Sequence, residues 1–314
     1  MKGFNLVFLL VWLQVLAVQA NTVVAVTGNS GNGNLDPFSF YEIDTVSGES
    51  TLKGDTGTVV PNQLAYDEST DHYYFMDHTG SNFYGHDVST GTNTNFLIGD
   101  LTLYGMPAGK TGSGGGDFYN GAYYYTPETG SNQIYSITFQ NDGTEISSFA
   151  PITPTGLSAH SDLDDGTSFA GLGDFGDFAV DSETGILYGS SRLSHTSKGG
   201  EYYAFWSIDL AHLDQPMVMI DDNAPSVYQL AFDEENNLFA NVWGSGGDLI
   251  EIDKTDGSQL GHTQILIGGA NASGDFYDMA STGTRQGVEV VPEPASVTFL
   301  MSALALLFQR RRRS

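Results

Sequence analysis

A short pattern of polar and apolar residues recurs five times along the 314-residue chain. In each copy a Gln or Asp precedes a large apolar residue and then Ala or Tyr. The copies are NQLAYD (62–67), GDFYNG (116–121), GDFAVD (176–181), YQLAFD (228–233) and GDFYDM (274–279). They lie about 46 to 60 residues apart. Such regular recurrence indicates a structural repeat.

Further apolar segments follow most copies and alternate with turn residues. The first copy is followed by HYYFM, NFYGHD and TNFLIG, and the fourth by NLFANV, LIEID and TQILIG. Turns such as IDTVSG (43–48) and IDKTDG (252–257) contain residues that bond their own backbone or accept positive φ. Four strands per repeat predict an all-β propeller with five four-stranded blades. An open sandwich or a β-solenoid is the alternative.

The two ends of the repeat region complement each other. TVVAVTG and FSFYEIDTVSG, near the start, resemble second and third strands without a first strand before them. The last copy, GDFYDMAST, is a first strand without successors. We therefore expect a propeller domain over residues 21–282 whose last blade is closed by both ends. Two inserts, 101–115 and 154–174, are expected to form loops on the propeller faces.

Composition fits this prediction and narrows the function. The 39 Gly, 16 Tyr and 19 Phe suit many strands and tight turns, and the absence of Cys excludes disulfides and thiolate chemistry. The net charge of −27 disfavours nucleic acid as a partner, because an acidic surface repels phosphates. Solubility alone is a sufficient explanation of this charge.

The first polar position of each copy suggests a cation site in the central channel. Innermost strands would bring these side chains together, and all of them carry oxygen donors of the kind that Ca²⁺ prefers. The alternative is that each side chain caps a local turn. The five candidates are Gln63, Asp117, Asp177, Gln229 and Asp275.

Aromatic residues suggest a second kind of site. Exposed Tyr and Trp rings stack on sugars, since each joins a flat apolar body to a polar tip. Trp206 and Trp243 are the first candidates for such ligand binding. The alternative is that these rings fill the space between blades.

Motifs of enzymes do not stand out. The seven His residues form no His-Glu-x-x-His pattern, and no Gly-x-Ser-x-Gly nucleophile elbow is present. The acidic segment HSDLDDG (160–166) lacks the closing Glu of a calcium loop. We therefore assign no catalytic residue, and an enzymatic activity is the less favoured reading.

The N-terminal segment 1–20 is typical of a secretory signal peptide. Lys2 precedes an apolar stretch from Leu6 to Val18, and the small residue Ala20 stands just before the expected cleavage point. A buried N-terminal helix is the alternative.

The C-terminal segment 291–314 contains three parts in a fixed order. Pro292, Glu293 and Pro294 precede a 14-residue apolar stretch over 295–308, and the basic residues Arg310, Arg311, Arg312 and Arg313 follow. A helix over the stretch spans about 21 Å, against a hydrocarbon core of about 30 Å, so it is a marginal membrane helix. The linker 283–290 separates this segment from the propeller.

This tail resembles the PEP-CTERM sorting domain of Gram-negative bacteria. The matching residues are the Val291–Ser296 motif, the apolar helix to Phe308 and the arginine cluster. The resemblance implies processing by an exosortase-type membrane protease and a host that makes extracellular polysaccharide. It also implies transient contact with the inner membrane, followed by delivery to the cell surface or matrix.

Together these features predict an exported, non-enzymatic surface or matrix protein. Its propeller would serve adhesion or association with extracellular polysaccharide, with Ca²⁺ as a bridging ion. One alternative is a secreted propeller enzyme that acts on matrix polysaccharide through acidic channel residues. A periplasmic scaffold is a further alternative, which the sorting tail disfavours.

Overall fold

The computed structural model describes most of the predicted propeller domain. It covers residues 21–28, 33–78, 80–89, 94–107, 114–127, 133–140, 142–154, 167–169, 176–195, 202–224, 226, 228–242 and 247–282. Within these ranges the secondary structure is 23 strands and one short 3₁₀ helix, with no α-helix. The predicted all-β class is therefore confirmed.

Four blades follow the chain in order, each starting from one copy of the sequence pattern. Within each blade neighbouring strands are antiparallel. Blade 1 contains β4 (Pro61–Asp67), β5 (His72–Asp77), β6 (Asn82–Asp87) and β7 (Thr94–Asp100). Blade 2 contains β8 (Gly116–Tyr119), β9 (Ala122–Tyr125), β10 (Ile134–Phe139) and β11 (Ile146–Ile152). Blade 3 contains β13 (Phe178–Val180), β14 (Ile186–His195), β15 (Tyr202–Asp209) and β16 (Val218–Ala224). Blade 4 contains β17 (Tyr228–Phe232), β18 (Leu238–Val242), β19 (Asp248–Ile252) and β20 (Gln259–Gln264).

Blade 5 is built from both ends of the domain. Its innermost strand is β23 (Phe276–Ser281), and the other three are β1 (Thr22–Thr27), β2 (Ser39–Asp44) and β3 (Glu49–Asp55). Strand β1 pairs with β23 in an antiparallel register that places Val24 opposite Ala280. The predicted closure of the fifth blade is confirmed, and backbone hydrogen bonds perform it.

Two segments depart from the sequence prediction. Part of the second insert forms strand β12 (Thr167–Phe169), which pairs with the far end of β14 rather than staying a loop. The segment TQILIG is not one fourth strand, because β20 ends at Gln264. The chain then continues as β21 (Leu266–Ile267), which pairs in parallel with β3, and β22 (Ala270–Asn271) completes a small hairpin. In the first insert, Leu101–Tyr104 form the 3₁₀ helix.

Five apolar clusters fill the five spaces between neighbouring blades. The strands supply both sides of each space because successive side chains of a strand point to opposite faces. In β1, Val23 packs against blade 4 and Val24 packs against blade 1. In β15, Trp206 faces blade 2 and Phe205 faces blade 4. Strands buried on both faces explain the continuous apolar runs in the sequence.

The interface between blades 2 and 3 depends on a glycine opposite Trp206. Gly189 pairs with Trp206 across β14 and β15, and a Cβ atom at Gly189 would lie 2.2 Å from the indole ring. The buried indole Nε1 donates a hydrogen bond of 2.9 Å to Ser191 Oγ. The ring therefore occupies space that only a residue without a side chain leaves open.

Candidate functional site

The innermost strands bring one polar residue from each blade to the centre of the ring. Gln63 lies in β4, Asp117 in β8, Asp177 directly before β13 and Gln229 in β17. All four side chains are buried. The sequence therefore identified four of the five central positions.

The fifth central residue is Asp278, and the prediction of Asp275 for this position is wrong. Asp275 is only half-buried and precedes β23, whereas Asp278 is buried within that strand. The last copy is in fact Tyr277-Asp278-Met279-Ala280, in register with Tyr228-Gln229-Leu230-Ala231 of blade 4. The preceding Gly-Asp-Phe, which matches blades 2 and 3, favoured a register three residues too early.

Each of three central carboxylates binds a backbone N–H of another blade. Asp117 Oδ2 accepts from Val180 N at 2.7 Å. Asp177 Oδ2 accepts from Leu230 N at 2.9 Å, and Asp278 Oδ2 accepts from Leu64 N at 2.7 Å. These bonds join blade 2 to 3, blade 3 to 4 and blade 5 to 1. We refer to Asp117, Asp177 and Asp278 as the central carboxylate cluster.

The second oxygen of each carboxylate is also engaged. In every case Oδ1 accepts from the N–H of the following residue, at 2.8 Å for Asp117, 2.7 Å for Asp177 and 2.9 Å for Asp278. Such bonds satisfy inner-strand N–H groups that a sheet edge leaves unpaired. The Oδ1 bonds are local, as the turn-capping alternative expects, whereas the Oδ2 bonds connect one blade to another.

The two remaining blade junctions use other groups. Between blades 4 and 5, Ser281 Oγ accepts from Phe232 N at 3.0 Å and donates to Asp117 Oδ2 at 2.7 Å. Between blades 1 and 2, Gln63 Nε2 donates to Thr126 O at 2.8 Å, and the Tyr123 hydroxyl donates to Gln63 O at 2.6 Å. All five junctions thus carry a polar contact near the centre.

Gln63 adopts a left-handed backbone conformation with φ of 58°. The pairing register of β4 and β5 shifts between Asn62 and Ala65, which marks a bulge at this residue. The bulge accompanies the bond from Leu64 N to Asp278 in blade 5. A non-glycine residue in this conformation carries strain, which the surrounding hydrogen bonds offset.

Burial shifts the protonation of the cluster. Desolvation raises the pKa of Asp117 to about 6, although hydrogen bonds from Val180 and Ser281 act in the opposite direction. Desolvation also raises the pKa of Asp177 and of Asp278, and the charge of Asp278 raises the pKa of Asp177 further. Two carboxyl groups that share a buried site disfavour each other's charged form.

This arrangement does not fit the predicted Ca²⁺ site. Calcium takes six to eight oxygen ligands, yet the carboxylate oxygens here accept backbone N–H groups. In the part of the chain that the structure describes, no group of three or more His, Asp or Glu side chains is arranged to hold a metal ion. The cluster instead stabilises contacts between blades.

The structure describes one of the two predicted sugar-binding tryptophans. Trp206 is fully buried between blades 2 and 3, so neither ring face is open to a ligand. Trp206 therefore fills the space between two blades, as the alternative to sugar binding expects. Trp243 lies outside the described residues, and its role stays a prediction.

A different aromatic residue is exposed on the surface of blade 1. Tyr104, at the end of the 3₁₀ helix, exposes 43% of its surface beside Leu103, which exposes 83%. Leu97, on the outer strand β7, exposes 59%. No sequence pattern indicated this exposed patch, because residues 101–115 were expected only to form a loop.

The sorting and export segments lie outside the described residues. This applies to the signal peptide 1–20, the linker 283–290, the motif Pro292–Pro294 and the arginines 310–313. Among the residues that are described, no helix is both long and apolar enough to span a membrane.

The ring and its central cluster define the chain as a closed five-bladed β-propeller. No protein-family model matches it, and no curated protein matches its sequence. Several solved structures are similar to it. A structure of the nidogen/laminin complex is 10% identical, with a TM-score of 0.43, over 83% of this chain and 98% of that chain. A gluconolactonase from Xanthomonas campestris is 15% identical, with a TM-score of 0.39, over 72% of this chain and 71% of that one.

A luciferin-regenerating enzyme is 14% identical, with a TM-score of 0.39, over 65% of this chain. The match spans only 59% of the length of that enzyme. Since identities are 15% or lower and TM-scores 0.43 or lower, these three likenesses carry no argument about activity or ligand.

Proposed function

We propose that this protein is exported and delivered to the cell surface or extracellular matrix by an exosortase-type system. Its propeller acts there as a non-enzymatic module that binds extracellular polysaccharide. The host would be a Gram-negative bacterium, and the C-terminal helix would contact the inner membrane only before processing. The three-part tail supports the route, and the geometry of the ring supports the separation of tail from body.

The observation that carries this proposal is where the ring closes. Thr282 Oγ1 donates to Thr22 O at 2.6 Å, and Thr282 N donates to Phe232 O at 3.1 Å. At the other end, Asn21 O accepts from Thr45 N at 2.8 Å. These closing bonds are complete within residues 21–282. Removal of the predicted signal peptide and of the predicted tail therefore leaves them all intact.

The central cluster favours a binding module over an enzyme. The enzymatic alternative depends on the predicted channel aspartates, and of these Asp117 and Asp177 lie at the centre of the ring. Both are buried, and their oxygens accept N–H groups of the backbone. A carboxylate used as a general acid, base or nucleophile must reach its substrate. The exposed patch around Tyr104 is better placed to contact a sugar.

Processing of the tail is tested with the full chain in a Gram-negative host that carries an exosortase. Mass spectrometry of the mature protein should find an N-terminus at Asn21 and a C-terminus that lacks Arg310–Arg313. The Glu293→Ala variant should accumulate unprocessed, while Glu289→Ala, an equal change in the linker, should be processed normally. An intact C-terminal Ser314 in the mature wild type would contradict the sorting route.

Binding is tested separately with the mature protein and a panel of extracellular polysaccharides. Isothermal calorimetry should detect binding, and chromatography of the polysaccharide should find its chain length unchanged. Cleavage that disappears in Asp177→Asn, with an unchanged near-ultraviolet circular dichroism spectrum, would favour the enzymatic alternative instead.

A further inference from the structure

The turn between β17 and β18 holds the first residue of β1. Glu234 Oε2 accepts from Thr22 N at 2.6 Å, and Glu234 Oε1 accepts from the Thr22 hydroxyl at 2.8 Å. One half-buried carboxylate of blade 4 thus binds the start of blade 5 through both of its oxygens. The residues are 212 positions apart in the chain.

Neighbouring contacts fix the position of the preceding residue, Asn21. Its carbonyl oxygen accepts from Thr45 N, and the Thr45 hydroxyl donates to Asp233 Oδ2 at 3.3 Å. Because Asn21 and Thr22 share a peptide bond, the Glu234 carboxylate lies next to the backbone of Asn21 as well. The chain therefore leaves the ring at an acidic turn.

The charges around this exit are negative. Asp233, Glu234 and Glu235 lie in the turn, and Asp44 is the partner of Thr22 in the pairing of β1 with β2. The nearby cation Lys254 is bonded to Asp181 Oδ2 and Asn236 O, on the blade 3 side of the turn. At the end of β23, Ser281 and Thr282 contribute no charge. A positive group at Asn21 would complement this surface.

We propose that the turn Asp233–Glu235 is the docking site for the α-ammonium group of Asn21 in the mature protein. Cleavage after Ala20 creates this group one residue from the Glu234 carboxylate. It adds a charge–charge contact to the two hydrogen bonds of Thr22, so removal of the signal peptide strengthens the closure of the ring. The inference rests on the proposed function, because it requires removal of the signal peptide.

The experiment measures the reactivity of the α-amine in mature wild type, Glu234→Gln and Glu235→Gln. Each protein is treated briefly with an acetylating reagent between pH 6 and 9, and the N-terminal peptide is quantified by mass spectrometry. A carboxylate partner raises the pKa of an amine above its ordinary value of about 7.7–8.0. At pH 7 the wild-type amine should react about three- to tenfold more slowly than that of Glu234→Gln, for a shift of about half a unit to one unit.

Glu235→Gln is the matched control, because it removes the same charge from an exposed position in the same turn. It should react nearly as slowly as the wild type. Thr22→Val removes only the hydroxyl donor and should also remain slow, which separates the charge effect from a general loosening of β1. Near-ultraviolet circular dichroism checks that each variant is folded.

The possible failures are distinguishable. A mature protein that begins at a residue other than Asn21 would overturn the cleavage prediction and the docking site together. A protein that begins at Asn21, but whose amine reacts equally fast in wild type and Glu234→Gln, would overturn the docking site alone. The export route would then still stand.

Discussion

The carboxyl groups of Asp177 and Asp278 are both buried at the centre of the ring, where the charge of Asp278 raises the pKa of Asp177. They belong to blades 3 and 5, which are not neighbours around the ring. Each also binds a backbone N–H of the next blade, through Leu230 and Leu64. This buried pair therefore connects contacts among four of the five blades.

Stability should depend on the protonation of Asp117. In the unfolded chain this carboxyl group has its ordinary pKa of 3.8, and in the fold the value is about 6. The folded protein binds the proton more tightly. The protonated Asp117 carboxyl group therefore stabilises the fold fully below about pH 3.8, and this stabilisation is lost as the pH rises through about 6. A difference of about two between the folded and unfolded pKa of Asp117 corresponds to about 3 kcal/mol in the free energy of unfolding.

Urea unfolding at several pH values between 4 and 8 measures this effect. In Asp117→Asn the dependence of the unfolding free energy on pH should become flatter over this range. His86 acts in the opposite direction, because burial lowers its pKa, so the comparison with the variant is more informative than the wild-type curve alone. An identical pH dependence in both proteins would contradict the assignment.

The corrected register of the last blade is tested by a pair of neighbouring substitutions. Asp278→Ala removes the acceptor for Leu64 N and Met279 N and should cost about 2–4 kcal/mol of stability, since buried N–H groups lose their partners. Asp275→Ala affects a half-buried residue before the strand and should cost less than about 1 kcal/mol. An equal decrease of the urea midpoint in both variants would contradict the assignment of Asp278, rather than Asp275, to the central position.

The space opposite Trp206 should not accept a methyl group. Gly189→Ala places a Cβ atom against the indole ring and should destabilise the protein by about 1–3 kcal/mol through overpacking. Gly261→Ala is the matched control, because its nearest neighbour, Glu251 Oε2, would lie 3.8 Å away. Thermal unfolding, followed by circular dichroism, should show a lower midpoint for Gly189→Ala and an unchanged midpoint for Gly261→Ala.

Polysaccharide binding should depend on Tyr104. Tyr104→Ala removes an exposed ring from blade 1 and should weaken binding by about five- to tenfold, a loss near 1–1.4 kcal/mol. Leu260→Ala, which removes an exposed apolar side chain from blade 4, should leave affinity unchanged. Calorimetry with the best ligand of the panel provides the measurement. A similar affinity in Tyr104→Ala and wild type would exclude this patch.

The architecture was predictable because each blade repeats the same local pattern. Continuous apolar runs such as HYYFM supply both faces of a buried strand, and the incomplete first and last repeats predict the closure. The register of the last copy was not predictable in the same way. Both Asp275 and Asp278 offer a polar residue before an apolar one, and only the pairing of β23 with β1 selects Asp278.

Contacts between distant segments account for the remaining differences. Leu266 and Ile267 continue the apolar run TQILIG, yet they leave blade 4 to pair with Glu49 and Ser50 of blade 5. No local pattern marks that crossing. The electrostatic interaction of Asp177 with Asp278 likewise depends on residues that are 101 positions apart in sequence. Such proximity follows from the folded ring, whereas a pattern along the chain describes only neighbours.

The contact between Thr22 and Thr282 makes the propeller continuous across its own ends. The ring does not depend on where the chain starts, because β1 and β23 pair in the same antiparallel way as neighbouring strands of the other blades. A circular permutant that joins Thr282 to Asn21 with a short flexible linker should keep the fold. Its new ends fit the exposed Asn120–Gly121 turn between β8 and β9, a surface position that tolerates interruption.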